Sequence, residues 1–117
     1  MATQTQAYKS TPILTSAART ATGQSTAFDE GSLDTISVMV DVTAVSGTSP
    51  TMTVNVEWSW DNVSWFTADP VDAFTAITAT GKKVKQFTIK GLYARLNYVI
   101  GGTTPSFTFS ATAITGS

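Results

Sequence analysis

The sequence predicts an all-β fold, an antiparallel β-sandwich with an extended N-terminal arm, on three observations. Apolar and polar residues alternate with a period of two through most of the chain. Gly- and Pro-bearing turn signals cut this alternation at short intervals. No stretch repeats its apolar residues at helical spacing. A jelly-roll or an immunoglobulin-like Greek key accommodates seven or so such strands. The chain has 117 residues, the size of one domain. A domain of that size buries roughly two thirds of its unfolded surface, so neither metal nor disulfide is needed to fold it.

Residues 1–12 are polar and aperiodic and form the expected arm; residues 13–117 form the single domain. A first strand is expected around Ile13–Ala17, with a loop from Gly23 and a turn at "FDEGS", where Gly31 supplies positive φ. Ile36, Val38, Val40 and Val42 then share one face of a half-buried strand. "VSGTSPT" breaks that run. Met52, Val54, Val56, Trp58 and Trp60 alternate with Thr51, Thr53, Asn55, Glu57 and Ser59. "WDNVSW" reads as a hairpin turn at Asp61–Asn62. A loop of two or four residues there puts Trp65 on the tryptophan face and Phe66 outside, and a three-residue loop reverses them.

"ADPVDAFTAITATGKK" is a longer excursion. In "VKQFTIKG" the parity of Val84 differs from that of Phe87 and Ile89, which predicts a bulge near Lys85. Leu92, Ala94, Leu96, Tyr98 and Ile100 share a face, as do Phe107, Phe109, Ala111 and Ala113. Val38, Val40, Val54, Val56, Trp58, Leu96 and Phe107 are the expected core. "GTSPTMTV" (47–54) returns as "GTTPSFTF" (102–109), an offset of 102 − 47 = 55 residues. Two hairpins ending in the same turn would explain the echo. Glycine gives the permissive backbone, proline ends pairing, and Thr-rich alternation restarts it.

The composition excludes much chemistry. The chain has no cysteine, hence no thiol nucleophile, disulfide or cysteine metal site, and no histidine, the side chain best suited to proton transfer near neutral pH. Of eight carboxylates only Asp29–Glu30 and Asp69…Asp72 lie close in sequence, and both pairs fit solvated turns better than a calcium loop. No enzyme, cofactor or metal is expected. The net charge of −1 argues against nucleic acid, and no apolar run approaches a membrane span. The start lacks the apolar segment of a secretory signal. Charged residues make up 13% of the chain, about half the ordinary share, a surface suited to packing against copies or partners.

"SWDNVSW" (59–65) resembles the S-x-D-x-x-x-W hairpins of sialidase Asp-boxes and discoidin-like sandwiches, and "YAR" (93–95) the Y-x-R strand of the latter. Three tryptophans could form a sugar-stacking platform, but alternation puts all three on the apolar face, where core packing is the simpler reading. A broader resemblance covers Leu14 to Ile114. "SAARTATG", "VDVTAVSGTSPTMTV", "WSWDNVSWFT" and "GLYARLNYVIGGTTPSFTFSATAI", in that order, look like a family of small structural proteins of tailed bacteriophages, which departs from this chain by carrying glycine near "SWDNVSW". The resemblance implies a virion component on the capsid surface, a head decoration (cement) protein. Its partners would be the major capsid protein and copies of itself, as a trimer. The arm would lie across a neighbour with Tyr8, Lys9 and Ile13 as contacts. A neck or tail structural protein and a virion-attached carbohydrate-binding module are the alternatives.

Overall fold

The computed structural model describes residues 8–29 and 35–116, with side chains from 10 to 29 and from 35 to 114. The strands are β1 (Tyr8–Arg19), β2 (Gly23–Gln24), β3 (Phe28–Asp29), β4 (Thr35–Ser59), β5 (Trp65–Phe66), β6 (Gly81–Thr88) and β7 (Tyr93–Gly116). All belong to one antiparallel sheet, and no helix occurs among the described residues. β4 and β7 pair with each other along nearly their whole lengths, from Ser37↔Ile114 to Ser59↔Tyr93. β1 flanks the second half of β7, and β6 flanks the first half of β4. At the other end, β5 flanks β4 while β2 and β3 flank β7.

β4 has 25 residues. Straight, it would run about 80 Å, yet the longest dimension of the molecule is 57 Å. The central ribbon must therefore bend, and it bends at the repeated motif. Gly47 and Gly102 take φ of 110° and 117°, and Ser49 and Thr104 take 49° and 46°. Neither copy is a hairpin end, contrary to the expectation from the sequence. Each is a kink inside a continuous strand, and the two kinks face each other. A Cβ on Gly47 would stand 2.7 Å from the carbonyl oxygen of Thr104, and one on Gly102 would stand 2.7 Å from that of Ser49. Pro50 and Pro105 lie where the register shifts, so their missing N–H groups interrupt no regular ladder.

The ribbon is consequently two-fold symmetric about the Thr48↔Thr103 pair. Exchanging strands with the 55-residue offset carries Ser46↔Ser106 onto Thr51↔Gly101 and Val45↔Phe107 onto Met52↔Ile100. Thr43 is one extra residue in β4, at the shift between Val42 and Ala44. Allowing for it, Val38↔Ala113 maps onto Trp58↔Ala94. The sequence echo is this symmetry.

Bending brings the apolar faces of the two ribbon halves into one core. Tyr98, in the first half of β7, meets Phe109, in the second, edge to face at 5.2 Å between centroids. All seven residues expected in the core are at most 1% exposed. The excursion between β5 and β6 contributes more than its sequence indicated. Phe74 and Ile77 are buried, and Met52 and Ile77 exchange both backbone hydrogen bonds, so this stretch serves as an edge strand for β4. The bulge anticipated near Lys85 does not form. β6 keeps one register throughout, and Val84 simply pairs with Met39 on the outer face, 66% exposed. Leu92, placed on the core face by parity, precedes the first residue of β7 and is also exposed.

Candidate functional site

The first strand begins at Tyr8, before the expected boundary at residue 13. Tyr8, Lys9, Ser10, Thr11 and Pro12 pair in order with Gly116, Thr115, Ile114, Ala113 and Thr112 of β7. The backbone of the expected contact residues Tyr8 and Lys9 thus runs along this chain's own C-terminal strand. Ile13 is 4% exposed and belongs to the core of its own chain. Residues 1–7 lie outside the described part. Further along β1, Arg19 donates to the carbonyl oxygens of Phe109 (2.7 Å), Thr15 (2.8 Å) and Ala17 (3.1 Å), with its guanidinium carbon 4.7 Å from the Phe109 ring centroid. That pins the strand to β7 by a cation–π contact and charge-assisted hydrogen bonds.

The tryptophans separate. Trp58 is fully buried, and its Nε1–H donates to Asp72 Oδ2 at 2.9 Å. The Lys90 ammonium neutralises the same carboxylate at 3.0 Å. Trp60 is 63% exposed. Five residues, 60–64, separate the paired Ser59 and Trp65. This odd number aligns Phe66 with Trp58 and Trp65 with Ser59, the reverse of the assignment from an even loop. Trp65 accordingly lies on the outer face, under the Arg95 guanidinium at 4.3 Å, while Arg95 Nε donates to Glu57 Oε1 at 2.7 Å.

The loop is held by two small side chains. Ser59 Oγ, on a fully buried residue, accepts from the N–H of Asn62 (2.8 Å) and of Asp61 (3.3 Å) and donates to Asp61 Oδ1 (3.1 Å). Asp61 Oδ1 accepts in turn from the N–H of Ser64 (2.8 Å) and Val63 (2.9 Å). These donors, Ser64 first, hold the Asp61 carboxyl below its ordinary value. Asn62 sits at φ 63°, which asparagine tolerates. The Ser-x-Asp spacing carried this turn in the sequence. It also explains why alternation fails at Ser59, whose hydroxyl is drawn inward to organise the loop. The result is a hydrogen-bonded tip displaying Trp60, Val63 and Leu92, with Trp60 stacked on Phe66 at 6.1 Å and 28° between planes.

A second surface lies at the β6 edge. Lys82, Lys83 and Lys85 project from one eight-residue strand, beside a groove of about 540 Å³ whose far wall is Phe74, Thr75 and Ala76. Sequence reading passed over these lysines. Their signal was local: three of the chain's seven cationic residues fall within four positions. Among the described residues no cluster of three carboxylates gathers as a metal site.

No protein-family model and no curated protein sequence matches the chain. Among solved structures, the crystal structure of the SPBc2 prophage-derived protein YomS is similar over 100% of this chain and 99% of that one, with a TM-score of 0.57 and 16% identity. The two share a fold.

Proposed function

We propose that this chain is a non-enzymatic structural protein of a bacteriophage virion, and that it decorates and stabilises the head shell. The observation that carries the reading is the end-to-end likeness to a prophage-derived protein. The sparsely charged, Thr-rich surface supports it, since a protein packed in many copies against a shell has little use for long solvated side chains. Decoration works by bridging neighbouring shell subunits, and several weak contacts on one protein gain by avidity when geometry lets them engage together. The deciding measurement is the number of copies per virion, together with saturable binding of the purified protein to expanded heads. Hundreds of copies and a fixed stoichiometry are expected. Six or twelve copies would move the protein to the neck or tail.

One observation favours a second reading, a carbohydrate-binding role: Trp60, on the hydrogen-bonded loop, is exposed and stacked with Phe66 of β5. Soluble glycans that quench tryptophan fluorescence in the wild type but not in Trp60→Ala would support it.

A further inference from the structure

The β6 edge combines three lysines, an exposed valine and a neighbouring groove. Proteins guard exposed edges with lysine, which discourages pairing with another chain. Here Val84 stands 66% exposed among Lys82, Lys83 and Lys85. β6 pairs only with β4 among the described strands, so about half of its residues turn their N–H and C=O away from the sheet. The groove runs along this edge and is walled on its far side by Phe74, Thr75 and Ala76. A strand added to β6 would sit about 4.8 Å away.

Register and charge define what fits. Lys83 and Lys85 share one face of β6, in line with Val40 and Val38; Lys82 and Val84 share the other, in line with Asp41 and Met39. Lys82 lies 3.5 Å from Asp41, and Lys85 Nζ donates to the carbonyl oxygen of Ala73 at 2.6 Å, closing the groove at that end. Lys83 makes no ion pair with any described residue. Among the described residues, three ammonium groups are thus met by one carboxylate.

We propose that the β6 edge is a docking site for an extended acidic segment of a partner protein, which adds to the sheet as a further strand. Its carboxylates recur at every second position to meet Lys83 and Lys85, and its intervening residues are β-branched or small to meet Val84. Backbone hydrogen bonds supply most of the affinity and the lysines choose the sign of the partner. This holds wherever the protein resides and does not depend on the decoration reading.

The test uses the intact protein and a capped peptide that alternates glutamate with valine and threonine. Amide hydrogen exchange is followed with and without the peptide. Every second amide of β6 should slow on binding. A peptide with lysine in place of glutamate should give no slowing. Lys83→Glu should weaken the glutamate peptide at least tenfold while the thermal melt stays unchanged, and Lys83→Gln should fall between. Raising the salt should weaken binding. Three results would overturn the proposal. The first is no slowing in β6 at millimolar peptide. The second is equal binding of a single-stranded oligonucleotide, which would make the edge a general anion patch. The third is β6 amides that are already protected and grow more so with protein concentration, which would give the edge to a second copy.

Discussion

Trp58 and Trp60 stand two residues apart in one alternating run, and only Trp58 enters the core. Trp58→Ala would leave a large cavity and take the indole donor from Asp72, so a loss of about 3–5 kcal/mol is expected in denaturant melts. Trp60→Ala should fall within about 0.5 kcal/mol. Equal losses would mean that the Ser59 turn is not formed. The glycines at the ribbon crossing make a sharper case. Gly47→Ala and Gly102→Ala each force a side chain into a left-handed backbone and against a carbonyl oxygen at 2.7 Å. Each should cost more than about 1 kcal/mol. Gly81→Ala shares the positive φ (145°) but meets nothing within 4 Å, so it should cost less in the same melts. The two crossing variants contact the same turn pair, so their combined effect should depart from the sum.

At the scale of elements, the loop between β4 and β5 offers a pH test. The carboxyl of Asp61 is depressed in the folded chain, so its contribution is complete above the ordinary value of 3.8 and is lost as pH falls through the lower folded value. Because Asp61 is exposed, the consequence is local. The amides of Val63 and Ser64 should begin to exchange faster in that acid range while the global melt hardly responds. Asp61→Asn keeps an acceptor oxygen and should hold the loop shut at low pH; Asp61→Ala should open it at every pH. The runs around Val38, Val54, Leu96 and Phe107 were legible as strands because alternation is a local property. The Trp60, Trp65 and Phe66 orientations were not, because one residue of loop length inverts them. Phe74 and Ile77 were missed because their stretch does not alternate and reaches the core by pairing with a strand already seen.

For the molecule as a whole, the sequence disclosed its repeat but not what the repeat does. Periodicity says where a strand runs and is silent on whether a glycine ends it or bends it. That depends on the residue opposite, and here the residue opposite is the other copy. The N-terminal boundary was obscured in a similar way. Residues 8–12 look unstructured by composition and become a strand only because β7 extends beside them. Deleting residues 2–12 removes that pairing and should lower the melting temperature by several degrees. An unchanged melt would show that these residues add nothing to the fold.

The ribbon also fixes an order of events in time. Its closest pair along the chain, Ser59↔Tyr93, is 93 − 59 = 34 residues apart, and its farthest, Ser37↔Ile114, is 114 − 37 = 77. No local hairpin can start it, and each contact requires a long loop to close first, which is slow in all-β chains. Refolding followed by tryptophan fluorescence should therefore take milliseconds to seconds, and a response complete within microseconds would contradict this ribbon. During synthesis β4 is made long before its partner. Until Tyr93–Gly116 has left the ribosome, 25 residues of strand wait with one whole side unpaired, so the ribbon cannot close before β7 has been made.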